Sequence, residues 1–296
     1  MGRPPVRVGV VDIGTNSMRL LVTDGVEDVG RWVEVTGLGQ GVDRTGTLSP
    51  DRVEETLAAL ARFGAEMDAS GVGKRAAIAT SASRDAANRE DFFDLAESAL
   101  GVRPRLITGE EEARLAFAGA TQQVDAETPI VVSDIGGGST EFVTAEGEVS
   151  FEVGSVRLTE RLIPSRPASS AEVKMARDFL AGLFSDVDLE TRTLIGVAGT
   201  WTSLAAIAQD LPDQSMDRMH GHRMSRGALA DTVDSLSSMT VEETAAIAAL
   251  DPKRALVILG GALVAEGVMD ILGVDEVMVS VHDTLDGVAM ALLAIA

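Results

Sequence analysis

Asp134 and Glu141 flank three consecutive glycines in the stretch Ile130–Glu141, IVVSDIGGGSTE. Gly136, Gly137 and Gly138 cost backbone entropy and pack no side chain, so something there needs bare backbone. Consecutive N–H groups in a tight glycine turn form a concave nest for phosphate oxygens, and Ser139 adds a hydroxyl beside it. Asp134 at the lip and Glu141 beyond it offer hard carboxylate oxygens, the donors that a divalent cation prefers. Taken alone, the stretch also reads as a β-hairpin whose turn merely tolerates glycine. An echo at residues 8–17, VGVVDIGTNS, shifts the balance: Asp12 again precedes Gly14, Thr15, Asn16 and Ser17. Asp12 is therefore a third candidate for the cation, and Gly14–Ser17 a second candidate phosphate loop. Two strand–DIG–turn–strand units, one opening each half, point to a duplicated domain with two facing phosphate loops. A hairpin duplicated for packing alone would not need to keep the Asp and the hydroxyl residues.

Other side chains fit the same chemistry. Glu110, Glu111 and Glu112 stand at a helix start, where acids favour the macrodipole. For two of them that is role enough, while a hydrolytic site needs one carboxylate to orient or deprotonate water. That third acid is expected to project into the cleft between the halves. Arg84, in the polar turn TSASRDAAN at 80–88, is either a solvated arginine or a guanidinium that neutralises phosphate bidentately. Arg19 lies on the second strand of the first hairpin, where alternation with Met18 and Leu20 leaves either face open. Gly199 and Thr200 open a helix, where exposed N–H groups and the helix dipole suit an anion. His220 and His222 form an H-x-H pair without a third ligand, so metal binding there is the lesser reading. His282, beside Asp283, reads as a loop or capping residue, with substrate contact the weaker alternative.

The elements that must position these residues alternate between strand and helix. The first hairpin runs into Met18–Thr23, and Arg31–Leu38 reads as a third strand. Ser49-Pro50-Asp51 opens a helix carrying Val53, Leu57, Leu60 and Phe63 at helical period, which runs out near Gly71. Ala76–Thr80 and Arg105–Ile107 are short strands, and a helix around Phe92–Leu100 stops at Gly101. Polar residues and Pro129 interrupt the pattern at 125–129, giving domains 1–124 and 125–296. In the second half, Glu141–Ala145, Glu148–Val153, Thr193–Val197 and Glu276–Val279 read as strands. Helices are expected at Val156–Leu162, Ser170–Phe184, Pro252–Leu272 and Thr284–Ala296, with a capping box at Thr240–Glu243 and a basic loop at Met216–Ser225. The fold class is α/β, two similar domains with a cleft between them.

The 296 residues suffice for two cores, built from aliphatic side chains because aromatics are only 3%. There is no cysteine, so thiolate chemistry is excluded, and a cytoplasmic setting is expected. No signal-peptide pattern opens the sequence. The longest apolar run, Ala255–Ala265, falls short of the roughly 18 residues of a membrane span, so no membrane partner is expected. A net charge of −21 argues against broad nucleic-acid binding. It also opposes a polyanionic substrate unless divalent cations and local arginines offset it.

Assembled, the chain resembles the exopolyphosphatase and guanosine pentaphosphate phosphatase family, within the actin, sugar-kinase and heat-shock ATPase superfamily. The matching pieces are VVDIGTNSMRLLV at 10–22, TSASRDAAN at 80–88 and TGEEEARLAFAG at 108–119. DIGGGSTEFV at 134–143, GVAGTWTSLAAI at 196–207 and RALVILGGALVAEGVM at 254–269 continue the series in the family's order. The resemblance implies two actin-like (ribonuclease H-like) domains with an active-site cleft between them. It implies Glu112 as the catalytic base, Asp134 and Glu141 as a magnesium-binding acidic pair, and Arg84 as a substrate arginine. Gly14–Ser17 and Gly136–Ser139 become the two phosphate loops. A homodimer is expected from the family alone. Larger relatives append helical domains absent here, and an Arg-Glu-Gly segment of many relatives is replaced by Leu285-Asp286-Gly287. The expected reaction is Mg2+-assisted hydrolysis of the terminal phosphoanhydride of inorganic polyphosphate. Guanosine pentaphosphate (pppGpp) is the alternative substrate. A feebly catalytic polyphosphate or alarmone sensor, and an actin-like ATPase or sugar kinase, are the rivals.

Overall fold

Val8–Ile13 (β1) is apolar at every position but Gly9 and Asp12, and all six residues are buried, as in a central strand covered on both faces. It pairs antiparallel with Ser17–Thr23 (β2), which pairs antiparallel with Asp28–Val35 (β3). On its other side β1 runs parallel to Lys74–Ala79 (β4), and β4 to Arg105–Leu106 (β5), giving the sheet order β3-β2-β1-β4-β5. The computed structural model describes residues 6–121, 124, 126–213 and 216–294.

The second sheet repeats this order. Ile130–Ile135 (β6), Thr140–Val143 (β7) and Glu148–Phe151 (β8) form the antiparallel meander. Thr193–Val197 (β9) runs parallel to β6. Beyond it lie Arg223–Ser225 (β10) and Glu276–Val279 (β11), in the order β10-β11-β9-β6-β7-β8. The two sheets share an antiparallel three-strand meander continued by parallel strands, the repetition expected from the two DIG motifs in an α/β fold.

The chain divides into a unit that runs to Gly119 and takes in the segment from Thr284 on, and a unit spanning Ala120–Asp283. In the first, Val11, Ile13, Met18 and Leu20 face the helices Pro50–Ala69 and Arg89–Leu100 through Leu60, Phe63, Phe92 and Ala96. Val8, Val10, Leu21 and Ile78 point the other way, onto Leu285, Val288 and Ala289 of the helix Thr284–Ala294. In the second unit, Trp201, Phe142, Phe184 and Leu263 anchor one large core. Phe142, Phe151 and Phe184 meet edge to face at centroid distances of 5.0–5.8 Å, the favoured aromatic geometry. Among the described residues no helix is long and apolar enough to cross a membrane.

The structure departs from the sequence reading in several places. Thr284–Ala294 belongs to the first unit rather than to a 125–296 domain, because its apolar face completes that unit's core and Asp286 pairs with Arg31. The third strand is Asp28–Val35, earlier than Arg31–Leu38, since Thr36, Gly37 and Gly39 turn their N–H groups onto the first glycine loop. Pro252–Leu272 is not one helix. Arg254, Ala255 and Val257 bond three residues back, a tight 3₁₀-type turn, and the α-helix begins at Ile258. Met216–Ser225 is not all loop, for Met216–Met219 is helical and β10 pairs with β11, burying Met224. A strand of three residues is too short to show alternation. The helix Arg226–Ser238, capped by Ser225, also went unread.

Candidate active site

Each glycine loop is built the same way from its own unit. In the first, Gly14 N–H donates to Ser17 O at 3.2 Å and closes the turn. Thr15 O accepts from Gly39 N at 2.8 Å, and Asn16 O from Thr36 N and Gly37 N at 3.1 and 2.9 Å. Because the planar peptide opposes each C=O to the following N–H, this turns the N–H groups of Asn16 and Ser17 the other way. Thr15 Oγ1 also accepts from Ala82 N at 3.2 Å, tying the loop to Ser81–Asp85, which is a short helix and not the polar turn read from the sequence.

In the second unit, Gly136 N–H donates to Ser139 O at 3.0 Å. Gly136 O accepts from Ser155 N at 3.0 Å, and Gly137 O from Val156 N and Arg157 N at 2.9 and 3.2 Å. The start of the helix Ser155–Leu162 thus holds both carbonyls, and the N–H groups of Gly137 and Gly138 turn the opposite way. That is the nest geometry an anion uses. The segment following the third strand of each repeat is therefore the loop's clamp, which the sequence reading missed. Its signal was a glycine in each copy. A Cβ on Gly39 would lie 2.3 Å from Thr15 Cγ2, and one on Gly154 2.6 Å from Gly136 O.

The acids opposite the loops differ between the repeats. Asp12 and Arg19 face each other across β1 and β2, and Arg19 Nε and Nη2 donate to Asp12 Oδ2 at 3.0 and 2.5 Å. This settles the face of Arg19: it shares Leu21's side of the strand. Asp12 is 3% exposed, and its Oδ1 is buried without a hydrogen-bond partner. At the matching register of the second hairpin Asp134 faces Glu141. These carboxylates are 5% and 1% exposed, and Ser150 Oγ donates to Glu141 Oε1 at 3.0 Å. Like charges directly opposite on neighbouring strands repel. Two hard carboxylates on adjacent strands fit Mg2+, which takes one or two carboxylates and completes its shell with water and phosphate oxygens. Among the described residues no group of three or more acids or histidines could hold a metal.

The three glutamates at the start of the helix Gly109–Ala120 are sorted by their neighbours. Glu110 is exposed. Glu111 accepts two bonds from Arg105 at 2.8 and 2.7 Å, and that guanidinium holds its carboxyl below the usual range. Glu112 Oε2 accepts from Arg84 Nη1 at 3.0 Å, both side chains being mostly buried. Arg84 Nη1 also donates to Ile107 O at 3.1 Å, while its Nη2 is buried without a partner. The structure thus joins Arg84 to Glu112, and Asp12 to Arg19, within the first unit.

Gly199 and Thr200 lie in the first turn of the helix Ala198–Ala208, entered through Ala198 at φ 66°. Arg254, 7% exposed, packs its guanidinium on this turn: a Cβ on Gly199 would sit 2.1 Å from Nη1. Arg254 was not among the residues singled out from sequence. An arginine opening the apolar run RALVILGG was its signal. His220 meets His282 edge to face at a centroid distance of 4.9 Å. Burial pushes the His222 imidazole below its ordinary value.

A model of the Ppx/GppA phosphatase family matches residues 20–294. The chain is 39% identical to exopolyphosphatase 2 of Mycobacterium tuberculosis over 97% of its own length and 98% of the relative's. The fold is similar to the crystal structure of an exopolyphosphatase-like protein, with a TM-score of 0.92 and 34% identity, covering 98% of this chain and 99% of that one. An exopolyphosphatase from Cytophaga hutchinsonii superposes with a TM-score of 0.89 at 26% identity, covering 98% of each chain.

Proposed function

The chain belongs to the Ppx/GppA phosphatase family, and from that premise we propose that it is an exopolyphosphatase, releasing orthophosphate from the ends of inorganic polyphosphate. The observation that carries the reading is the Arg84–Glu112 pair, a carboxylate oriented by a guanidinium that still has an unengaged Nη2. Glu112 accepts the proton of a water as that water attacks the terminal phosphorus. The anhydride P–O bond breaks in line, and the shortened chain leaves on the bridging oxygen. Arg84 Nη2 receives a phosphate oxygen. The N–H groups turned outward by the clamped loops Gly14–Ser17 and Gly136–Ser139 receive others, as does the Gly199–Thr200 helix start. Asp134 and Glu141 hold Mg2+, which when bound supplies charge neutralisation for the transferring phosphoryl group. Such chemistry asks for positioned charge rather than a protein nucleophile, in keeping with the absence of cysteine.

The test is orthophosphate release with Mg2+ from short polyphosphate, long polyphosphate and pppGpp at equal concentrations of phosphate ends. Faster release from polyphosphate is expected. Preference for the nucleotide would replace the reading with an alarmone phosphatase, and silence on all three with binding retained would replace it with a sensor. The homodimer and the cytoplasmic location belong to the same proposal and are read by light scattering and cell fractionation.

A further inference from the structure

The terminal helix Thr284–Ala294 supports both backbone segments that orient the Arg84–Glu112 pair. Ile107, whose carbonyl accepts from Arg84 Nη1, shares one apolar cluster with Leu285, Val288 and Ala289. Leu115, three residues after Glu112 on the helix Gly109–Ala120, packs against the same cluster. At Gly287 the two helices meet backbone to backbone. A Cβ there would run into Leu115 O and lie 2.8 Å from Leu115 C and 3.0 Å from Leu115 Cα. Only a hydrogen fits. A glycine inside a helix costs stability relative to alanine, and Gly287 has no positive φ that would call for one. The close approach to Leu115 is what it serves. Nor can the terminal helix give way. Val8, Val10 and Leu21 back its apolar face, and Asp286, next to Gly287, is gripped by Arg31 of β3 through both guanidinium Nη atoms, Nη1 lying 2.9 Å from Oδ2. Arg31 Nε donates in turn to Asp28 Oδ2 at 2.8 Å. The Arg31 and Asp286 side chains are 10% and 12% exposed, so salt screens the pair little.

We propose that Gly287 is a positioning residue for hydrolysis: with the Arg31–Asp286 pair holding its helix in place, it sets how far the helix Gly109–Ala120 sits from the sheet, and so where Glu112 presents its carboxylate. The proposal rests on the reading of Glu112 as the proton acceptor given above. An α-helix is stiff along its axis, so displacing Leu115 O carries Glu112, less than one turn away, with it. Glu112 Oε2 lies 3.0 Å from Arg84 Nη1, and a shift of about 1 Å takes that contact out of hydrogen-bond range. Arg84 keeps its own bond to Ile107 O, because the added methyl presses on Leu115 and not on the strand end. Phosphate binding is then spared while the carboxylate that takes the water's proton is misaimed. The signature is a loss in kcat at an unmoved KM.

The experiment compares Gly287→Ala with Leu293→Ala in the full chain. Leu293 packs in the same cluster at the far end of the terminal helix, beside Gly25, so its truncation weakens that helix without pressing on Leu115. With polyphosphate and Mg2+, G287A should lose up to about 10²-fold in kcat, the reach of a misplacement of about 1 Å, with KM held, while L293A keeps its kcat. In an E112Q background the G287A loss should nearly vanish, because the group it displaces no longer accepts a proton. A G287A enzyme at wild-type kcat overturns the proposal, as does an equal loss in L293A or a loss that persists undiminished in E112Q. If circular dichroism shows G287A unfolded, D286N takes its place: it releases the ion pair and should lower kcat at constant KM, with D286E restoring it. A D286N enzyme at wild-type kcat then overturns the proposal. Amide hydrogen exchange gives a readout without substrate. G287A should speed exchange over residues 109–116 more than L293A does, and equal protection in the two defeats the proposal. A wild type silent on polyphosphate sinks the functional reading alone, and the exchange result still decides the positioning.

Discussion

Arg84 Nη1 donates to Glu112 Oε2 at 3.0 Å, and the same nitrogen donates to Ile107 O at 3.1 Å. The backbone carbonyl at the end of a short parallel strand thus aims a guanidinium, which in turn aims a carboxylate. Each link constrains the next, and the buried Nη2 is left for a further acceptor.

Replacing Glu112 with Gln keeps the shape and the bond to Arg84 but removes the proton acceptor. Turnover of polyphosphate should fall roughly 10²–10⁴-fold, the usual reach of a general base, with affinity for the polymer retained. Phosphate release alongside equilibrium binding checks both halves. An E112Q enzyme working at wild-type speed would remove Glu112 from the mechanism.

Arg84→Lys tests the fork rather than the charge. One ammonium cannot serve Ile107 O, Glu112 and a phosphate in the directions a guanidinium spans. Losing a hydrogen bond to a charged group costs about 1.5–3 kcal/mol, so KM should rise about 10–100-fold, and kcat should drop as Glu112 loses its guide. Unchanged KM and kcat in R84K would show that the lone charge suffices.

Gly154→Ala asks whether the clamp shapes the loop. The new Cβ would lie 2.6 Å from Gly136 O and from Gly137 C, both backbone atoms that cannot swing aside. Overpacking of this kind costs about 1–3 kcal/mol, and the displaced loop should lose phosphate affinity beyond what the stability change explains. Gly147→Ala, with nothing within 4 Å of the new methyl, is the matched control. Equal affinity in the two variants would free the loop from its clamp.

Glu172 predicts a pH signature unrelated to catalysis. Hydrogen bonds from Ser165 and Ser169 hold its carboxyl at about 2, well below its ordinary 4.5, within the capping box of the helix Ser170–Leu183. A depressed folded pKa adds stability that is fully present above the unfolded value and is lost as pH falls toward the folded one. The melting-temperature deficit of E172Q should therefore be constant near neutrality and shrink below about pH 4.5. A deficit that persists unchanged in acid would assign it to packing.

The duplicated DIG hairpins were legible because β1 and β6 carry an apolar run, an Asp and a glycine turn at one spacing, and the sheets follow that pattern. Glu112 could not be told from Glu110 and Glu111 by type or helix position. Its partner Arg84 lies 28 residues away in sequence, and only the fold brings the two together. The face of Arg19 was undecided for a related reason: two-residue alternation fixes sides relative to one another, and the partner strand decides which side holds the aspartate. Gly39, Gly154 and Arg254 escaped notice because their roles are close approaches to distant backbone, which leave no periodic trace. The terminal helix was read correctly as a helix, but an apolar face does not say which core it joins.

That last helix imposes an order on synthesis. The Ala120–Asp283 unit is one uninterrupted segment, complete as soon as its last strand emerges. The first unit begins earlier but lacks one cover of its sheet until residues beyond Asp283 have been made, and until then Val8, Val10, Leu21 and Ile78 have no apolar neighbour from Thr284–Ala294. Vectorial folding ordinarily favours the domain nearest the amino terminus. Here the segment made later can finish first, and the half-built sheet that precedes it is the species a nascent-chain chaperone would meet.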